Sequence, residues 1–188
     1  TADVPTLMLM IVVSSVAMAA ALLVLGWGNW RDGLHYWAMS LLVGAAGYVL
    51  FLLRGQIADA WSVVWGNTLM SVMFAGLLAA VRNFQGQPMQ WPVMLVPPLF
   101  MAALMQHFMD NYGLRVACAS YLLACQTLWV WWTLHARRQS SPGRGAWLLA
   151  AGLAVEAAML LARLQLLVVQ QRTHTKLASG GVTSHCTG

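Results

Sequence analysis

Three arginines carry most of the chemistry this chain can offer: Arg54, Arg115 and Arg163, each set at or just inside the end of a long apolar segment. A guanidinium held at membrane depth is costly and turns toward a bundle interior or a wet cavity. Its planar fork of donors suits a carboxylate, a phosphate or a carbonyl oxygen. If the three lie on one level, they can build a pocket for a small anionic or carbonyl-bearing ligand, with Asn67, Ser62 and Ser120 as further polar lining. The competing reading is structural: each arginine snorkels to lipid phosphates or pairs with Asp59 or Asp110.

Glu156 is the one acid inside an apolar segment, and Arg163 follows two helical turns later on the same face, about 10 Å away. The two need a third polar group or a water between them, so Glu156 serves either as a relay or as a hydrogen-bond partner for a neighbouring helix. His35 and His135 fall at similar depth, the one pairing a haem could use, whereas His107 lies toward the other face. Histidines are common at membrane interfaces, and no cofactor is expected. Cys118, Cys125 and Cys186 lack metal-ligand spacing and read as small packing residues, as the twelve scattered methionines read as adaptable filling. With no nucleophile triad, phosphate loop, metal motif or paired carboxylates, no catalytic or metal residue is assigned and an enzyme is the least supported class.

The elements that must position these residues follow from composition. Of 188 residues 60% are hydrophobic and 8% charged, and the mean hydropathy is +0.68, far too apolar for a water-soluble domain of this length. The expected partner is the lipid bilayer. Ten Lys and Arg outnumber five Asp and Glu, but they occur in ones and twos, which argues against nucleic-acid binding. A hydrocarbon core about 30 Å thick needs roughly 20 apolar residues per helix. Segments of that kind recur at 7–27, 36–53, 61–81, 91–109, 114–134 and 146–169. The expectation is an all-α polytopic bundle of about six transmembrane helices over 1–170, followed by a disordered polar tail over 171–188. Pro97-Pro98 removes two backbone donors from the fourth segment, where a kink is expected.

Loops one, three and five hold Arg31, Arg82, Arg137, Arg138 and Arg144 against a single acid, Asp32, which places them on the cytoplasmic side and the N-terminus outside. The tail then falls outside with Arg172 and Lys176, against the same rule. Gly44-Ala45-Ala46-Gly47 and Gly76 with Ala79 and Ala80 provide small faces, either for packing within the bundle or for a homodimer.

Several stretches occur in an order that resembles a known family. They are Asp3-Val4-Pro5-Thr6-Leu7, Gly33-Leu34-His35-Tyr36-Trp37-Ala38, Leu53-Arg54-Gly55-Gln56-Ile57-Ala58-Asp59 followed by Ser62 and Asn67, Arg82-Asn83-Phe84-Gln85-Gly86-Gln87-Pro88, Arg115 with Ser120, and Ala162-Arg163-Leu164. Together, over about residues 3–168, they resemble the N-terminal multi-spanning sensory region of bacterial diguanylate cyclases, the GGDEF-domain proteins. The resemblance implies a membrane-embedded signal-input module in the bacterial inner membrane, coupled in the intact protein to cyclic-di-GMP synthesis. The family pattern continues into a seventh helix and a catalytic domain, and the tail from Thr173 departs from it, so a truncated or frame-disrupted chain is expected. A histidine-kinase input region, a small transporter and a haem-binding subunit are the alternatives. Only the fourth segment carries a Pro-Pro break and the two halves do not echo each other, which counts against the transporter.

Overall fold

A computed structural model of the chain describes residues 4–27, 33–58 and 60–136, together with Ala154 and Gln165. It contains α1 (Val4–Leu25), α2 (Leu34–Leu52), α3 (Gly66–Phe84), α4 (Trp91–His107) and α5 (Tyr112–Ala136). A π-helical turn, Ala60–Trp65, runs directly into α3. Among the described residues no strand forms, and the only bridge is the local one between Arg54 and Ile57. The protein is all-α, as its composition demands.

Four helical stretches, Pro5–Leu25, Leu34–Leu52, Ala60–Phe84 and Tyr112–Ala136, are long and apolar enough to cross a membrane. The fourth expected span is a helix but a shorter one. At 17 residues α4 rises about 25 Å, less than a typical hydrocarbon core. It accepts Pro92 in its first turn, where a missing N–H costs nothing, and continues through Pro97 and Pro98 as one element. The sixth expected span, the tail, Glu156, Arg163 and Cys186 lie outside the described residues, of which only Ala154 and Gln165 fall in that span.

The helices pack in chain order around α3, which touches α2, α4 and α5, while α1 packs on α2. In the α3 stretch 61% of the most apolar window is buried, against 6% in α1, so α3 is the axis and α1 the outer wall. Phe74, Leu78, Met94 and Val130 form the core near one end of the bundle, and Val63, Met101, Met105 and Ala119 form it near the other. Glycines allow the closest approach. A Cβ on Gly44 would overlap the Met73 thioether, and one on Gly76 would overlap the Ser40 hydroxyl. Both small faces seen in the sequence are therefore used between α2 and α3.

Polarity is distributed the opposite way from that of a water-soluble protein. Ser62, Ser71 and Thr127 are fully buried, while Leu25 and Val24 are about three-quarters exposed. Apolar surface on that scale is sustained by hydrocarbon and not by water. Inside the helices the hydroxyls return to the backbone: Ser40, Thr68, Thr127 and Thr133 each donate to the carbonyl four residues earlier.

One buried polar contact joins two helices in both directions. Ser71 Oγ donates to Gln126 Oε1 at 2.8 Å, and Gln126 Nε2 donates to the Ser71 carbonyl at 3.1 Å, so α3 and α5 are clasped near mid-length. In a double-mutant cycle of Ser71→Ala and Gln126→Leu, followed by unfolding in micelles, the pair is expected to couple by about 0.5–1.5 kcal/mol. Strictly additive losses would show that each residue acts alone.

Candidate functional site

The chain leaves α2 at Leu53 and turns tightly, with the N–H groups of Gln56 and Ile57 both donating to the Leu53 carbonyl. Arg54 stands exposed on this turn. Twelve residues after Arg54, the wide π turn gives way to α3 at Gly66. A π turn leaves carbonyls poorly matched to the following α ladder, and two side chains take them up: Asn67 Nδ2 donates to the Val63 carbonyl at 2.7 Å, and Thr68 Oγ1 donates to the Val64 carbonyl at 2.6 Å. One hydrogen of the Asn67 amide goes to Val63, and its NH2 keeps a second that can be donated.

Arg115 occupies the first turn of α5. Asn111 precedes that helix and its side-chain oxygen accepts from the Leu114 N–H at 3.3 Å, in the manner of an N-cap. The Arg115 side chain is only 8% exposed. Its Nη1 donates to the Met109 carbonyl at 3.0 Å, and its guanidinium carbon lies 5.5 Å from the centre of the Tyr112 ring, a cation–π distance. Among the described residues Arg115 forms no ion pair, and the expected pairing with Asp110 is not made. A carbonyl and a ring thus hold this cation in place without neutralising it.

These residues meet. Arg54 from the turn after α2, Asn67 from α3, and Arg115 with Ser120 from α5 line a single cavity of about 350 Å³, walled also by Tyr48, Phe51 and Tyr112 and, from α1, by Met8. Among the described residues, no carboxylate lines it. The start of α5 lies at the same end, and the positive end of its dipole adds to the field of the two guanidiniums. Arg163, the third arginine of the expected cluster, and Glu156, the expected relay, lie outside the described residues, as does Asp59. Ser62 is buried in the π turn and does not line the cavity.

The remaining candidates sit apart. His135 stacks on Trp131 with centroids 5.2 Å apart, and His107 packs edge-on to Phe108. Among the described residues no group of three or more His, Cys, Asp or Glu gathers as a metal site, and Cys118 and Cys125 are free thiols. Tyr112 and Gln126 are the residues that the sequence reading missed. Each left a signal: an aromatic three residues before an arginine shares its helix face, and a lone amide in an apolar span needs a buried partner.

Comparison of the chain with family models, with curated proteins and with solved structures finds no match.

Proposed function

We propose that this chain is the membrane-embedded signal-input module of a diguanylate cyclase-type signalling protein, a bundle of about six transmembrane helices in the bacterial inner membrane with its N-terminus outside. A small anionic or carbonyl-bearing ligand, held by Arg54, Asn67 and Arg115, is its signal. The observation that carries the reading is the convergence of these three residues, from three different segments of the chain, on one cavity with no carboxylate among its described lining residues. The ordered resemblance around Arg54, Asn67 and Arg115 supplies the link to cyclic-di-GMP signalling.

A ligand shifts a conformational equilibrium only by as much as it prefers one arrangement. Here α2 and α5 each pack on α3 and each contributes a guanidinium to the cavity, so a bound anion ties α2 to α5 across α3. An empty site leaves the two cations facing the cavity with nothing to draw the helices together. Movement of α5 relative to α3 is then the output that the intact protein would pass on.

The test is a chimera in which residues 1–170 are followed by one added transmembrane helix and a diguanylate cyclase catalytic domain. Cyclic di-GMP in cells carrying the parent chimera is expected to differ by about fivefold or more from that in cells carrying its Arg115→Gln version, the size of an ordinary coupling between sites. Equal output from two variants present at equal levels in the membrane would argue against an input role.

A further inference from the structure

The cavity changes character along its length. Arg54, Asn67 and Arg115 lie at the end marked by the α2 turn and the start of α5, whereas Phe74 and Leu123 lie seven and eight residues further along α3 and α5 from Asn67 and Arg115. At 1.5 Å per residue that is about 10–12 Å of depth. Ser120 lies part-way along, and the lining deeper than the guanidiniums includes Met70, Phe74 and Leu123. A compact anion such as phosphate would use the guanidinium end and leave this apolar length without a partner.

We infer that the ligand is a single-chain amphiphile, a medium-chain carboxylate whose head is held by Arg54 and Arg115 and whose tail runs down between α3 and α5 toward Phe74 and Leu123. This rests on the ligand-binding reading above and adds the tail to it. Three features support it. A carboxylate presents two oxygens to guanidinium forks. The deep lining is apolar, with contact area to gain for each methylene added. A volume of about 350 Å³ lies at the small end of ligand pockets, about 300–1,000 Å³, the scale of one short chain. The outward apolar surface of the helices also gives such a ligand a route, since an amphiphile dissolved in the outer part of the bilayer reaches a cavity between helices without crossing water.

Full-length chain in phosphatidylcholine nanodiscs is titrated with decanoate, acetate, inorganic phosphate and 1-decanol, with empty nanodiscs as the partition blank. Saturable decanoate binding at least about tenfold tighter than that of acetate or phosphate is expected, with none for 1-decanol, which lacks the charge. Leu123→Trp fills the deep end and is expected to weaken decanoate about tenfold while leaving acetate unchanged. As a variant-independent check, a decanoic acid bearing a terminal diazirine is expected to label wild-type chain within 70–74 and 119–123, and excess decanoate to block the labelling.

If acetate or phosphate binds as tightly as decanoate and Leu123→Trp is silent, the amphiphile inference is overturned and the anion site stands. Labelling spread evenly over α1 and α4, or loss of decanoate binding when phosphatidylglycerol is added to the nanodiscs, overturns it too, in favour of lipid partition or of a phospholipid occupant. If no anion of any length binds saturably, the inference falls together with the ligand-binding reading.

Discussion

Arg115→Gln is expected to weaken anion binding about a hundredfold while leaving the helices intact. Truncating one member of a buried, hydrogen-bonded charge pair costs about 2–5 kcal/mol, and 1.4 kcal/mol is a factor of ten. The glutamine amide can still donate to the Met109 carbonyl that Arg115 now satisfies, so the loss falls on the ligand and not on the fold. Arg115→Lys keeps the charge but not the fork or the stacking on Tyr112, and about tenfold weaker binding is expected. Arg54 is exposed and its pairing is screened, so Arg54→Gln is expected to cost less than about fivefold. Calorimetry in nanodiscs with decanoate as titrant, with helix content followed by circular dichroism, checks all three. Equal losses at Arg54 and Arg115 would contradict the ranking by burial.

The second large effect is on stability, at Gly33. This residue precedes α2 with φ 70°, and a Cβ there would come within 2.7 Å of the Ala80 carbonyl oxygen on α3. An alanine in this left-handed conformation costs about 1–2 kcal/mol, and displacing backbone at a packed contact adds about 1–3 kcal/mol. Gly33→Ala is therefore expected to destabilise the bundle by roughly 2–4 kcal/mol and to lower Tm in micelles by about 5–15 °C. Gly86 is the control, because it has a similar φ of 64° and nothing within 4 Å of the added carbon. Gly86→Ala should show the conformational part alone, and the difference between the two variants measures the contact of the α2 start with Ala80. Equal melting temperatures would mean that α3 yields at Ala80 without cost.

The polar residues of the cavity were legible in the sequence because the rest of the chain is so apolar. In a run such as Tyr48 to Trp65, an arginine is conspicuous, and counting residues along helices places Arg54, Asn67 and Arg115 at one depth. Depth is a one-dimensional quantity, however, and does not say which side of a helix a residue occupies. The choice between a pocket and a ring of snorkelling cations turns on that missing angle; the packing of α2, α3 and α5 brings Arg54, Asn67 and Arg115 to one cavity, and Arg163 lies outside the described residues. The axial role of α3 was hidden for the same reason. Its run of Ala75, Gly76, Leu77, Leu78, Ala79 and Ala80 is little different in character from the lipid-facing wall of α1. What separates them is that α3 has neighbours on several sides.

The π turn at Ala60–Trp65 was not legible at all, because an added residue in a helix leaves no mark in composition. A turn of this kind takes up about one residue more than an α turn, and each residue of an α-helix advances the chain by about 100°. The spare residue is absorbed within the turn, so the chain on either side keeps nearly the angular register of a continuous α-helix. Loss of a single codon between 60 and 65 would let the turn tighten to α geometry and leave Arg54 close to its present bearing on α3. The same loss inside α3, where no spare residue exists, would swing the chain before it by roughly a quarter of a revolution and carry Arg54 off the cavity although no residue lining it had been replaced. A change of length is in this sense milder within 60–65 than one turn further on.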